Sequence, residues 1–314
     1  MKEEPMRAVR IHEYGGPEVL KYEEAPCPKP QEGEVLIRVR AAGVNPVDWK
    51  VRRGDAKGLL KHSFPLIPGW DVSGVVAATG RGVQRLKRGN EVYGLLDIHR
   101  DGSYAEYAVI RESAVALKPN SIDHNHAAAI PLAALVAWQS LFHAGGLRAG
   151  QKVLIHGAAG GVGSFAVQLA KWKGAHVVGT ASERNHRFLH ELGADETIDY
   201  STMRFEDVVH DVDVVLDMIG GDTLLRSWGV LKKGGILVSI VAQPSPEEAL
   251  KRGVRQAFVF AMPMAAELAT IASLIDSGNL LPVVDTVLPL TQARRAHVLS
   301  ETGHTRGKIV LRVD

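Results

Sequence analysis

The residues of this 314-residue chain most suited to chemistry form a run of small side chains, Gly157-Ala158-Ala159-Gly160-Gly161-Val162-Gly163. A short apolar run, residues 152–156, leads into it, and a helix-patterned stretch, residues 163–173, leads out. Glycine lets the backbone turn tightly and come close to a phosphate, while a helix start offers unpaired N–H groups and the positive end of a dipole. The spacing is Ala-x-Gly-x-x-Gly, with Ala158, Gly160 and Gly163 at the three key places and Gly161 and Val162 between them. Strand, loop and helix in that order predict a dinucleotide pyrophosphate site; a tight turn with no ligand is the competing reading.

The next strand carries the second signal. In sites that prefer NAD, an acid about 20 residues downstream binds the ribose 2′-hydroxyl. Here that strand ends Val178-Gly179-Thr180-Ala181-Ser182, without an acid. Ser182, Arg184 and Asn185 can instead donate to a 2′-phosphate, and arginine's planar fork suits phosphate oxygens, so NADPH is expected over NADH. The alternative is a solvated helix face carrying Arg184 and Arg187, with Glu183 beside them. No metal site is expected. Cys27 is the only cysteine, none of the 13 histidines lies in His-Glu-x-x-His, and His124-x-His126 at a helix start reads as surface.

Two kinds of region must position these residues. Residues 8–11, 34–39, 72–76, 91–94 and 104–110 are short β-rich runs broken by glycine and proline, as in an all-β domain. After Pro119 helix-forming stretches take over. Strand-like runs at 152–156, 176–180, 212–218 and 236–242 then alternate with helical runs at 163–173, 186–192 and 223–231. That alternation predicts a doubly wound parallel sheet with right-handed crossovers. A helical run at 265–276 precedes strand-like residues 283–288 and 308–313, which are expected to rejoin the first domain. The division predicted is 1–122 completed by 280–314, with 123–279 between.

With these features in place, the chain resembles the medium-chain dehydrogenase/reductase family, in its zinc-free quinone oxidoreductase and enone reductase branch. The resemblance rests on six motifs in the family's order: Gly15-Gly16-Pro17-Glu18-Val19-Leu20, Ala41-Ala42-Gly43-Val44-Asn45-Pro46-Val47-Asp48, Ile67-Pro68-Gly69-Trp70-Asp71, Gly160-Gly161-Val162-Gly163, Leu192-Gly193-Ala194-Asp195 and Gly307-Lys308-Ile309-Val310. It implies an α/β protein with a partly open, GroES-like β-barrel catalytic domain, a Rossmann domain and an active-site cleft at their junction. Zinc members carry Cys, His and Glu where this chain has Asn45, Trp70 and Asp71, and the cysteine-rich structural loop is missing. Alcohol oxidation without that Lewis acid is not expected. Quinones and α,β-unsaturated carbonyls are already hydride acceptors, and need only alignment and stabilisation of an oxyanion.

The resemblance implies that Asn45 donates to the substrate carbonyl, that Lys50 stabilises the oxyanion, and that Asp48 orients groups nearby. From the residues alone, Asp48 reads as a turn cap and Lys50 as an exposed strand-end charge. Tyr200 is implied to pack at the adenosine end, with strand-end packing as its alternative. Tyr93 is a candidate proton donor or a half-buried strand residue. Residues 243–253 read as a substrate-side loop.

Composition excludes other classes. A formal net charge of +2 suggests neither a nucleic-acid nor a membrane-surface partner. The apolar runs fall short of the ~18 residues that span a bilayer, and residues 1–5 do not resemble a secretion signal, so a cytoplasmic location is expected. A homodimer is implied, paired along an edge at residues 258–262. Two competing functions remain: a trans-2-enoyl thioester reductase, for which Lys251, Arg252 and Arg255 would provide a basic rim, and a non-catalytic NADPH-binding structural or sensor protein.

Overall fold

Alternating burial along an 11-residue strand builds the first sheet: in Glu34–Val44, Val35, Ile37, Val39 and Ala41 are at most 2% exposed. The computed structural model describes residues 5–313. In chain order its first strands are β1 (Pro5–Arg10), β2 (Lys21–Pro26), β3 (Glu34–Val44), β4 (Asp71–Thr79), β5 (Glu91–Leu95), β6 (Tyr107–Arg111) and β7 (Val115–Leu117). Helices α1 (Pro46–Arg53), α2 (His124–Ala128) and α3 (Pro131–Trp138) are interspersed or follow. Next come β8 (Lys152–His156), α4 (Gly161–Trp172), β9 (His176–Ala181), α5 (His186–Glu191), β10 (Glu196–Asp199) and β11 (Val212–Asp217). The series continues with α6 (Gly221–Ser227), β12 (Leu231–Ser239), α7 (Pro246–Arg252) and β13 (Arg255–Phe258). The tail is α8 (Ala265–Asp276), β14 (Val284–Pro289), α9 (Ala293–Glu301) and β15 (Lys308–Arg312).

The chain divides into two units. One comprises Met1–Leu132, Pro263–Gly278 and Pro282–Asp314; the other comprises Ala133–Met262 and Asn279–Leu281. In the first, β14-β15-β3-β4-β5-β7 form a sheet, with β6 added on β3 and β1–β2 paired separately. The closing strands do rejoin the first sheet, β15 lying antiparallel to β3.

Both junctions differ from the predicted division. Ala128 and Ala129 pack against Ala41 and Val310, and the Leu132 N–H donates to Asp71 at 2.7 Å, so α2 belongs with the β unit. The α8 helix belongs there too, because Tyr93 donates to Leu268 O and Asp276 accepts from Ser121. None of these bonds can be foreseen from runs of alanine and leucine.

The second unit has parallel strands in the order β10-β9-β8-β11-β12-β13. Val212–Asp217 is buried along its whole length, as expected of a strand covered on both faces. Strand order reverses between β8 and β11, the switch point beside which ligands of such sheets bind. No helix among the described residues is long and apolar enough to cross a membrane. Two local expectations change. Residues 246–252 form a helix rather than a loop, with Ser245 capping Glu248 N and Gly253 closing it in the left-handed region. The edge strand β13 ends at Phe258, so 259–262 lie beyond it.

Candidate functional site

In the nucleotide unit, β8 ends at His156 and Gly157 turns the chain with φ of +73°. A Cβ on Gly163 would lie 2.3 Å from Gly157 O and 2.6 Å from Ala158 O, so only glycine lets α4 begin this close to the loop. Gly160 is different: its Cβ would meet only Gly157 O, at 3.4 Å, which leaves its outer side open. Gly161, Val162 and Gly163 open α4, where backbone N–H groups lack intrahelical acceptors. Open space at Gly160 beside these donors fits a pyrophosphate. Ala158 requires a correction: it is fully buried and its N–H donates to Thr180 O at 3.1 Å, so it packs the loop from beneath instead of facing a ligand.

Register places the other predicted residues at the same sheet edge. His156 pairs with Thr180, and Ala181 pairs with Asp199. Ser182 therefore leaves β9 next to where Tyr200 leaves β10, and both follow the carboxyl ends of strands adjoining the glycine loop. Ser182 is half-buried and accepts from Asn185 at 3.2 Å, Arg184 is exposed, and Tyr200 is 59% exposed.

Two contributors escape sequence reading. Asp217, ending β11, accepts from Ile219 N, Gly220 N and the Ser239 hydroxyl, so it orders the loops after β11 and β12. His156 lies fully buried between Thr180 Oγ at 3.1 Å and Ser227 Oγ at 3.0 Å. Because Ser227 donates to Thr223 O, His156 donates from Nε2 and accepts at Nδ1. Burial, then the Arg226 charge, push its pKa down to about 3, so the ring is neutral. The acid ending Val-Asp-Val-Val-Leu-Asp was the available signal for Asp217.

In the β unit, a buried polar network surrounds Asn45. Asn45 Nδ2 donates to Asp71 at 2.8 Å, and Asn45 Oδ1 accepts from Lys308 Nζ. Lys308 also donates to Val44 O at 2.8 Å and approaches Asp71 at 3.4 Å. With Asn45 only 2% exposed and its amide engaged at both ends, the expected direct contact with a substrate carbonyl gives way to a positioning role.

Asp48 accepts from Asn45 N and the Tyr104 hydroxyl, so it caps α1 and ties it to the β6 side of the fold. Tyr104 meets His297 at 3.3 Å, and His297 meets Arg52, which pairs with Glu301 at 2.6 Å. Lys50 lies half-exposed on α1, not at a strand end, with its ammonium 5.7 Å from the Trp49 ring centre. Tyr93 is fully buried, and burial drives its hydroxyl pKa up, which removes it as a proton donor.

Burial also raises the Asp48 carboxyl from 3.8 to about 7, against the Asn45 and Tyr104 hydrogen bonds and the Lys308 charge. An acid with a raised folded pKa favours the native state below its unfolded pKa and loses that contribution as pH rises through the folded value. Between pH of about 4 and 7, Asp48 therefore makes the fold less stable with rising pH. Asp48→Asn is expected to remove this slope, as read by comparing melting temperature against pH for the two proteins. An unchanged slope would show that Asp48 does not titrate in this window.

Comparisons with known proteins agree with this geometry. Residues 31–120 match the family described as Alcohol dehydrogenase GroES-like domain, and residues 192–311 match Zinc-binding dehydrogenase. An Arabidopsis thaliana relative, NADPH-dependent alkenal/one oxidoreductase, chloroplastic, is 37% identical over 98% of this chain and 79% of its own length. The Chloroplast envelope quinone oxidoreductase homolog of the same plant is 33% identical over 98% of both chains. Among solved structures, the quinone oxidoreductase from Coxiella burnetii superposes with a TM-score of 0.92 at 35% identity, covering 99% of this chain and all of that one.

Proposed function

The chain belongs to the medium-chain dehydrogenase/reductase family, and on that premise we propose that it transfers a hydride from NADPH to a quinone or an α,β-unsaturated carbonyl without a metal. The observation that carries the metal-free reading is the Lys308 ammonium seated on Asn45 Oδ1 and Asp71 Oδ2, at positions that resemble metal-ligand positions of zinc members. A buried cation already satisfies these oxygens, and an amide has taken the place of a thiolate. Among the described residues, no group of three or more His, Cys, Asp or Glu could hold a metal ion.

Gly160, Gly161, Val162 and Gly163 would hold the pyrophosphate, Ser182 and Arg184 the 2′-phosphate, and Tyr200 the adenosine end. The dihydronicotinamide bound there supplies the hydride. Lys50 stabilises negative charge on the acceptor oxygen, and Asn45 and Asp48 hold the helix start that carries it. Solvent supplies the proton, since Tyr93 is sealed in the core. The test is NADPH absorbance followed with quinones, enones, enals and enoyl thioesters. Turnover of quinones or enones supports the proposal, and tight NADPH binding with no turnover on any acceptor would favour a sensor. Of the basic rim expected for a thioester reductase, Lys251 and Arg252 turn to Glu248 at 3.8 and 3.0 Å, which leaves Arg255 as the sole support for that reading.

Cofactor choice gives a sharper result. Arg184→Ala is expected to weaken NADPH about tenfold or more while leaving NADH nearly unchanged, since one charge-assisted contact is lost. Equal weakening of both would indicate a packing role. For assembly, we propose a homodimer along β13. Phe258, which ends this edge strand, is 41% exposed, and Phe260 and Met262 in the segment that follows are 48% and 62% exposed, an apolar surface that a second copy would cover. Sedimentation at micromolar concentration should show a dimer; a monomer would contradict it.

A further inference from the structure

A concave site lies at the opposite, amino-terminal edge of the parallel sheet, in the turn before β8 and along the starts of β11, β12 and β13. It is a half-open hollow of about 230 Å³ lined by the exposed residues Arg148, Lys232, Lys233 and Arg255, with Asp213 as its one carboxylate. Asp213 is already satisfied: Lys232 pairs with it, Gln151 donates at 3.0 Å and Lys152 N at 2.9 Å. Those contacts hold its pKa below the usual carboxylate range despite partial burial, so it stays an anion matched by its own partners.

Arg148, Lys233 and Arg255 then face one concavity without an ion pair among the described residues. Three like charges around a hollow repel one another, and an anion at the centre would relieve that repulsion. No atom lies within 4 Å of where a Cβ on Gly234 would stand, so a ligand can approach that backbone closely. The volume lies below the ~300–1,000 Å³ of pockets that hold drug-sized molecules, which suits a compact anion and not a second dinucleotide. Two guanidinium groups favour phosphate oxygens, which they can bind in bidentate fashion.

We propose that this cavity binds a small phosphate-bearing anion, at a site separate from the glycine loop and independent of the dinucleotide. The probe is pyrophosphate, titrated calorimetrically into protein saturated with NADP⁺, so that the glycine loop is filled. Saturable binding at one site per chain is expected, weakened about tenfold or more in Arg148→Ala/Arg255→Ala. Lys251→Ala/Arg252→Ala, whose cations pair with Glu248 on their own helix, should bind as the parent does. No binding at millimolar pyrophosphate, competition by NADP⁺, or equal affinity in the Arg148→Ala/Arg255→Ala variant would each overturn the proposal. So would binding to phosphatidic acid vesicles without binding to free pyrophosphate, which would make this a membrane contact.

Discussion

Lys308→Met is expected to destabilise the protein by about 3–5 kcal/mol, the usual result of removing one partner from a buried ion pair. The Lys308 side chain is 5% exposed and that of Asp71 is fully buried. Methionine fills a similar volume but donates nothing. Asn45 Oδ1 would lose its donor, Val44 O would lose one, and the Asp71 carboxylate would keep only Asn45 Nδ2 and Leu132 N. Adding Asp71→Asn should recover part of the loss, because an amide needs no counter-ion. Denaturant unfolding of the parent, the two single variants and the double variant measures this coupling. A loss below about 1 kcal/mol for Lys308→Met would mean that the pair is not what holds Asn45 in place.

Lys50→Met should lower turnover by about 10²-fold or more while NADPH affinity changes little, because a contact to developing charge strengthens chiefly in the transition state. The geometry suits such a role better than a strand end would. Helix α1 starts at Pro46, is capped through Asp48 and ends at Gly54 in the left-handed region, so Lys50 stands on a short helix fixed at both ends. Single-turnover rates with NADPH and its 4-deuterated form show whether chemistry is being observed. Unchanged turnover under a full isotope effect would reject the role, and collapse of NADPH binding alone would make Lys50 a cofactor residue.

The nucleotide loop and the parallel sheet were legible because their signals are local. Residues 152–173 spell strand, glycine turn and helix in one stretch, and continuous apolar runs mark buried strands. Two local signals are present but ambiguous between helix start and turn. Asn45-Pro46-Val47-Asp48 has the cap, N1 proline and N3 acid of a helix start, and Ser245-Pro246 has a cap and an N1 proline. In the second case the prolines, set among mixed charges, read as loop markers.

The buried network was not legible, for a different reason. Lys308 meets Asn45 across 263 residues and Arg52 meets Glu301 across 249. A lysine opening a terminal strand gives no hint that it faces inward, since lysine is rarely buried unless paired. Asn45 itself stands out in the sequence, but its amide geometry, and hence its change of role, depends on partners that only the fold brings together.

The proposed metal-free hydride transfer from the dihydronicotinamide to a conjugated acceptor can be followed by isotope transfer. Protein dialysed against a chelator and then freed of it would be incubated with stereospecifically 4-deuterated NADPH and a simple enone, and the product read by NMR and mass spectrometry. A single deuterium is expected on the β-carbon from one of the two deuterated epimers, at a rate that neither chelator nor added zinc changes. Product without deuterium from either epimer, or turnover that disappears with chelator and returns with zinc, would contradict it.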